Sequence, residues 1–277
     1  KIDPTLIKRF EREVKAAAKL VHSNIITVFD ADQADGRIFM VMEYIDGDDL
    51  GEILRKKGQL SVSEAVDYIL QAARGLKYAH DHGVIHRDIK PGNILVDSSG
   101  NVKIVDMGLA KLENQGDEKT ISMLTESAAI MGTVDFMSPE QGFSSKNVDA
   151  RADIYSLGVV LWQMVMGKKP YDTSSLSGYD LNTKIIHDQL PDTNSLFANI
   201  IKRATAKNVV DRYVNVASII GEIKILSFNN NVQNSSVEVS QKNKKNIISS
   251  DSITKVESFQ TGIVSINGTE TSIVKVG

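Results

Sequence analysis

The stretch from His86 to Asn93 reads HRDIKPGN and places three polar side chains of different kinds, Asp88, Lys90 and Asn93, within six positions. Asp106 follows thirteen residues after Asn93, directly behind a short apolar run. Phosphoryl transfer needs a carboxylate to align the attacking hydroxyl, a cation near the γ-phosphate, and oxygen ligands for Mg²⁺. Each of these residues taken singly is more often a turn or capping residue. The ordered set of four nevertheless predicts phosphoryl-transfer chemistry.

The residues around this stretch predict a helix before it and a pair of strands after it. Ser61 followed by Glu64 fits a capping box, which opens a helix running to about residue 82, where Gly83 ends it. Short strands are predicted at 84–85, 94–97 and 102–105, the last two joined by a turn at 98–101.

The rest of the chain up to about residue 226 predicts further helices and one hairpin. Apolar residues at helical spacing predict an amphipathic helix over 5–21. Two β-rich runs, 25–31 and 37–45, are joined by turn residues and predict a hairpin. Residues 106–140 form an irregular loop rich in Ser, Thr and Glu, of a length that is usually functional or disordered. Further helices are predicted near 153–166, 178–188, 195–206 and 213–226. The fold class is therefore α+β.

Composition excludes several classes of function. The 277 residues include 32 basic and 35 acidic side chains, a net charge of −3, which argues against binding to nucleic acid or to an anionic membrane surface. The absence of cysteine excludes thiol nucleophiles and cysteine-ligated zinc, and the five histidines form no HExxH pair. No apolar run reaches the roughly 18 residues that a membrane span needs. The longest, 154–167, predicts a buried helix.

These motifs, in this order, resemble those of the Ser/Thr protein kinases, and most of all the bacterial members of the eukaryotic-type family. HRDIKPGN matches the H-R-D-x-x-x-x-N motif completely, and its lysine two places after the aspartate is the Ser/Thr-specific variant. Residues 106–108, Asp-Met-Gly, match D-F-G with Met for Phe, and residues 138–140, Ser-Pro-Glu, match A-P-E with Ser for Ala. The stretch 153–158 resembles D-x-W-S-x-G, with Tyr for Trp, and Arg212 lies where the family has its late arginine.

The resemblance implies a bilobal protein-kinase fold that uses ATP and Mg²⁺. The catalytic set would be Asp88, Lys90, Asn93, Asp106 and Thr133. Two of these, Asn93 and Asp106, would also hold the metal. The residues that would bind the nucleotide or orient its lysine are Glu13 (with Glu11 as a neighbouring alternative), the gatekeeper Met42, the hinge residues Glu43 to Ile45, Leu95 and Asp49, the last of which is as plausibly a helix cap.

The resemblance also implies regulatory and structural residues. The loop from Asp106 to Glu140 would be the activation segment, in which Thr125 and Ser127 match the positions phosphorylated in bacterial kinases. Arg87 would clamp such a phosphate as a bidentate pair. Structural roles fall to Glu140 with Arg212, to Asp153, and to the spine residues Ala17, Val28, His86 and Met107.

Two motifs of the family are absent from these residues. No two glycines stand two apart, so there is no G-x-G-x-x-G loop, and no V-A-I-K strand precedes Glu13. The chain starts at Lys1 and its first methionine is Met40. We therefore expect a kinase domain whose first strands have been removed and which is inactive alone. The uncovered apolar residues of the small sheet are then expected to be partly exposed or poorly supported, namely Ile26, Val28, Phe39 and Val41.

Composition changes at residue 227. Between residues 227 and 252, 13 of 26 residues are Asn or Ser, and such a stretch buries too little apolar surface to order itself. We expect a kinase domain at 1–226, a linker at 227–252, and an unassigned tail at 253–277. The tail alternates weakly around Asn267-Gly268 and suits the start of a β domain.

Several functional expectations accompany this interpretation. The substrates would be proteins with Ser or Thr acceptors, including a second copy of the kinase, with the kinase domain in the cytoplasm and a membrane tether possible elsewhere in a longer protein. One alternative is a pseudokinase or scaffold that uses the helical lobe for protein contacts. Another is a small-molecule phosphotransferase, against which stand Lys90-Pro91, the Ser-Pro-Glu motif and Arg212.

Overall fold

The computed structural model describes residues 14, 18–34, 37–107, 134–143, 148–171, 178–228, 262–266 and 269–273. The chain divides into two compact units, Lys1–Phe228 and Asn229–Gly277. Most of the predicted helix 5–21 lies outside the described residues, as do Glu11, Glu13, Ala17, Thr125, Ser127 and Thr133. No helix in the described ranges is both long and apolar enough to cross a membrane.

The first unit contains two small sheets and seven helices within its described ranges, which confirms the α+β fold class. The strands are β1 (Val28–Ala34), β2 (Arg37–Met42), β3 (Gly47–Asp49), β4 (Ile94–Asp97) and β5 (Val102–Ile104). The helices are α1 (Leu50–Lys57), α2 (Val62–Asp81), α3 (Pro139–Phe143), α4 (Arg151–Met166), α5 (Gly178–His187), α6 (Ala198–Ala204) and α7 (216–228). β1 pairs antiparallel with β2, while β3, β4 and β5 form a second antiparallel sheet in that order.

Helix α4 is the centre of the core. Almost every side chain from Ala152 to Val165 is buried, and its Trp162 is fully enclosed. A helix that is apolar on every face has to be surrounded by other elements, and α2 and α6 both contact it. The prediction of a buried helix at 154–167 is therefore confirmed.

The local signals around the HRDIKPGN stretch are confirmed in detail. Ser61 caps α2, its hydroxyl accepts the Glu64 N–H at 3.2 Å, and the Glu64 carboxylate accepts the Ser61 N–H at 3.1 Å. Gly83, just beyond the helix, has φ of 74°, a left-handed conformation that suits glycine. The predicted strand at 84–85 is wrong, because these residues pair with no strand and instead lead straight into the loop.

The hairpin of β1 and β2 is confirmed, with the first strand three residues further along the chain than predicted. Of the four apolar residues expected to be exposed, Phe39 and Val41 are 44% and 46% exposed. For Ile26 and Val28 the expectation is wrong, since both are buried. Ile26 is held against β5 by its N–H, which donates to the Ile104 carbonyl at 2.9 Å.

The helical boundaries beyond β5 differ from the prediction by a few residues. α6 is shorter than the predicted 195–206, and α7 starts at 216 because residues 209–211 form a separate 3₁₀ turn ahead of Arg212. An unpredicted pair of elements, β3 and α1, follows the hinge. Gly47 allows β3 to pair closely with β4, since a Cβ there would lie 2.0 Å from the Val96 carbonyl oxygen.

The second unit contains one antiparallel hairpin within its described residues. Strands β6 (Gly262–Ile266) and β7 (Thr269–Ile273) pair with Ile266 opposite Thr269. This register leaves two residues, Asn267 and Gly268, for the connection, which is the turn chemistry expected for a two-residue hairpin loop.

Two helix glycines provide a test of how closely α2 packs. A Cβ at Gly75 in α2 would lie 2.6 Å from the Asn24 carbonyl oxygen, whereas a Cβ at the exposed Gly221 in α7 would meet no atom within 4 Å. Gly75→Ala is expected to lower the free energy of unfolding by about 1–3 kcal/mol through overpacking. Gly221→Ala is expected to raise it by about 1 kcal/mol through helix propensity. Urea unfolding of both variants measures the difference, and equal effects would contradict this packing.

Candidate active site

The HRDIKPGN loop is held in place by one buried carboxylate, that of Asp153 in α4. Its Oδ2 accepts the His86 N–H at 2.8 Å and its Oδ1 accepts the Arg87 N–H at 2.7 Å. The His80 imidazole Nε2 from α2 lies 2.7 Å from the same Oδ2. Arg87 has φ of 69°, which is uncommon for a residue with a Cβ and is compensated here by the bond from its own N–H.

His86 joins this loop to the strand that precedes Asp106. Its ring is fully buried, with Nε2 at 2.8 Å from the Val105 carbonyl and Nδ1 at 3.2 Å from the Asp88 N–H. Because a carbonyl only accepts and an N–H only donates, Nε2 acts as the donor and Nδ1 as the acceptor. The Val105 N–H in turn donates to the Asn93 carbonyl at 3.0 Å, so one side-chain and one backbone hydrogen bond connect the loop to the strand end.

The structure brings together the three polar residues of the loop. Asp88 Oδ2 accepts the Asn93 Nδ2–H at 2.9 Å and lies 2.8 Å from the Lys90 ammonium. Both contacts reach the same oxygen, and the Asp88 side chain is 21% exposed. The carboxylate is thus oriented through Oδ2, whereas no hydrogen bond from the described residues reaches Oδ1.

The side-chain oxygens of Asn93 and Asp106 are of the kinds that bind a magnesium ion. Asn93 Nδ2 donates to both Asp88 Oδ2 and the Asp88 carbonyl, at 2.9 and 2.8 Å, which fixes the amide and directs its oxygen away from Asp88. An amide oxygen and a carboxylate are the ligand types that Mg²⁺ prefers, with waters and phosphates completing its shell. Within the described ranges no group of three or more His, Cys, Asp or Glu could hold a metal ion. Asp106 adopts φ of 60°, immediately after β5.

The predicted hinge follows β2 and is tied to β5 by an ion pair. Glu43 Oε1 lies 2.6 Å from the Lys103 ammonium and accepts the Thr27 N–H at 2.7 Å. Burial raises the pKa of Glu43, but the hydrogen bonds from Lys103 and Thr27 outweigh it and hold that pKa below its ordinary value. Met42 is 36% exposed, and Tyr44 is largely exposed.

The remaining predicted nucleotide residues are the last hinge residue, Ile45, together with Leu95 and Asp49. Ile45 and Leu95 are partly buried against the core, and Leu95 pairs with Asp49 in the sheet. Asp49 caps α1, since its Oδ1 accepts the Glu52 N–H at 2.9 Å. Asp49 therefore acts as a helix cap in the structure. Its contact with the ribose stays a prediction, and that contact would have to use the other carboxylate oxygen, Oδ2.

The segment 134–143 is anchored to the loop from the other side. Glu140 and the buried Arg212 form a bidentate pair at 2.7 and 2.8 Å. Gln141 Nε2 donates to the Arg87 carbonyl at 2.8 Å. The hydroxyl of Ser156 in α4 donates to the Phe136 carbonyl at 2.7 Å. The predicted spine residues Met107 and Val28 are both buried.

Sequence reasoning missed three residues that hold the site together, namely His80, Lys103 and Gln141. His80 is a polar residue near the end of α2 whose only distinguishing feature is that it precedes the HRDIKPGN loop by six positions. Lys103 is the charged residue in an otherwise apolar strand, and this is the one local indication that it pairs with an acidic side chain. Gln141 directly follows the Ser-Pro-Glu motif, and nothing local indicates its contact with Arg87.

A comparison with known families identifies the class of protein that this fold and site define. The model of the protein kinase domain matches residues 1–246. This chain belongs to the protein kinase family.

Several similar curated proteins are bacterial. The chain is 33% identical over 226 residues to the probable serine/threonine-protein kinase PknB of Lactococcus lactis, covering 80% of this chain and 35% of that protein. It is 34% identical to the serine/threonine-protein kinases PknB of Mycolicibacterium smegmatis and PrkC of Bacillus subtilis, covering 80% of this chain and 36% and 34% of theirs. The chain thus spans about a third of the length of these relatives.

The hinge ion pair makes a prediction for the titration of Glu43. In Lys103→Met the hydrogen bonds from Thr27 alone oppose the effect of burial, which raises the carboxyl pKa. The pKa of Glu43 is therefore expected to rise from its lowered value. A lowered carboxyl pKa stabilises the fold above pH 4.5, and this contribution is lost as the pH falls through the lowered value. The loss at pH 7 should be at most about 1 kcal/mol, because the pair is partly solvated.

The measurement is an NMR titration of the Glu43 carboxyl carbon in wild type and variant. Lys56→Met is the matched control, because Lys56 pairs with Asp48 and Glu52 on the surface and not with Glu43. An unchanged Glu43 titration in Lys103→Met would contradict the pairing.

Proposed function

We propose that this chain carries the catalytic lobe of a protein kinase that transfers the γ-phosphate of ATP to Ser and Thr hydroxyls of proteins. The observation that carries the proposal is the orientation of Asp88, whose Oδ2 is held by Lys90 and Asn93 while its Oδ1 has no hydrogen-bond partner among the described residues. The names of the bacterial relatives support the choice of Ser and Thr acceptors.

Each residue of the site has a chemical task in this proposal. Asp88 Oδ1 accepts a hydrogen bond from the attacking hydroxyl, aligns it and takes its proton as the bond to phosphorus forms. Lys90, already beside Asp88, offsets negative charge on the transferred phosphoryl group. Asn93 and Asp106 would hold Mg²⁺, which when bound neutralises charge on the phosphate oxygens. The backbone of the hinge 43–45 would hydrogen-bond the adenine.

A pseudokinase or scaffold is the second candidate. It is favoured by one observation, the absence of a G-x-G-x-x-G loop and of a V-A-I-K strand from these 277 residues. A pseudokinase would more often have lost Asp88, Asn93 or Asp106, and all three are present. We therefore favour a catalytic kinase, and we propose that these 277 residues alone do not transfer phosphate, since the lysine and loop that cradle ATP are not among them.

The test compares two proteins in a radiolabelled-ATP assay with myelin basic protein as acceptor. One is the 277-residue chain, and the other is the product of the whole reading frame that encodes it. The chain alone is expected to be inactive and the whole product active, with Asp88→Asn lowering kcat by about 10²–10⁴-fold.

Lys77→Met is the matched control, because Lys77 pairs with Asp81 at the surface of α2. An inactive whole product whose sequence lacks the glycine-rich loop and lysine would establish the pseudokinase. Activity of the chain alone would overturn the proposal for the fragment.

Self-phosphorylation within the activation segment is the second part of the proposal. Thr125 and Ser127 lie outside the described residues, and their support is the distance from Gly132-Thr133 in the sequence. Arg87 is the guanidinium that would bind the new phosphate, and Thr133 would brace Asp88 and Lys90. Mass spectrometry of the active whole product is expected to find phosphate on Thr125, Ser127 or both, and to find none after Asp88→Asn. Detection at Thr120 or Ser122 alone would contradict the assignment.

A further inference from the structure

Asp135 is a buried carboxylate at the end of the predicted activation segment, outside the catalytic set. Its side chain is fully buried, and its Oδ2 accepts a hydrogen bond from the Lys169 ammonium at 3.0 Å. Its Oδ1 is buried with no hydrogen-bond partner among the described residues. A buried carboxylate without a cation is costly, so the position of this segment depends on Lys169.

Lys169 comes from a well-anchored loop after α4. Gly167 ends the helix in a left-handed conformation and packs so closely on the backbone of Gln59 that a Cβ there would lie 2.6 Å from its nitrogen. Pro170 and Tyr171, which follow Lys169, are buried. The lysine side chain itself is 49% exposed, so only its ammonium end reaches the buried partner.

The stretch that Lys169 holds is linked to the catalytic loop. The Phe136 carbonyl accepts a bond from Ser156, and Gln141, a few residues on, donates to the carbonyl of Arg87, the neighbour of Asp88. The described contacts of residues 134–137 with the rest of the fold therefore include one neutral hydrogen bond and one ion pair. Residues 134–137 are thus connected to Arg87, the neighbour of Asp88, through the segment that carries Gln141.

We propose that Lys169 is a positioning residue, whose ion pair with Asp135 latches residues 134–137 against the loop after α4 and so fixes the acceptor side of the site. The latch itself is a feature of the fold, whereas its effect on binding of the acceptor protein rests on the proposed kinase function. Residues 134–137 directly follow Thr133 and precede the Ser-Pro-Glu motif, so the latch acts where the predicted activation segment rejoins the helical lobe.

The first experiment is hydrogen exchange on the purified chain in four variants. Lys169→Met is expected to speed exchange of the amides of residues 135–137 by about tenfold or more, with α2 unchanged, because the cost of an unpaired buried charge is released by local opening. Lys169→Arg keeps the cation and should stay close to wild type. The pair Asp135→Asn with Lys169→Met removes both charges and should restore slow exchange. Lys168→Met, at the exposed neighbouring position, is the matched control.

Three outcomes would overturn the latch. One is equal exchange in Lys169→Met and Lys168→Met, and another is uniform acceleration that includes α2, which marks general destabilisation. The third is a double variant that exchanges as fast as Lys169→Met alone.

The second experiment measures phosphotransfer by the whole reading-frame product to myelin basic protein. Lys169→Met should raise KM for the acceptor and leave KM for ATP unchanged, and an equal rise in both would contradict the positioning role. If the wild type transfers no phosphate, the proposed function fails, while the exchange data still decide whether the latch exists.

Discussion

The catalytic loop depends on a single buried charge, the carboxylate of Asp153. It is fully enclosed in α4 and is compensated by three donors, the backbone N–H groups of His86 and Arg87 and the imidazole of His80. A carboxylate with no access to water is tolerated only when such bonds replace its hydration. The loop is therefore held in the one backbone shape that presents both N–H groups to the same carboxylate, including the left-handed conformation of Arg87. The imidazole of His86 extends this network, because it connects the Asp88 N–H to the Val105 carbonyl just before Asp106.

The helical lobe supplies the other half of the support. Ser156 of α4 bonds to Phe136, the Arg212 guanidinium holds Glu140 in a bidentate pair, and Gln141 reaches Arg87. Because Asp153 and Ser156 are both in α4, the same buried helix fixes the catalytic loop and the segment that follows the activation loop. The largely apolar character of α4 follows from this central position, and two of its buried polar residues, Asp153 and Ser156, bond to the two segments.

Part of this protein was determined by the sequence by itself. The capping box of Ser61 and Glu64, the glycine stop at Gly83 and the hairpins depend on contacts within a few residues, which local propensity specifies. The HRDIKPGN stretch also predicted Asp88, Lys90 and Asn93 as site residues, because their spacing is short and their residue types match one chemistry, and the structure brings the three side chains together. The order of the motifs added the family resemblance that the family comparison confirms.

Other features were decided only by the tertiary structure. The burial of Ile26 and Val28, the absence of a strand at 84–85, and the pairing of Glu43 with Lys103 all depend on which elements lie side by side. His80 meets Asp153 across 73 positions and Lys169 meets Asp135 across 34, separations over which no local pattern carries information. Such pairs form because a buried charge without a partner is costly. Which residue becomes the partner depends on how α2, α4 and the following loop pack together.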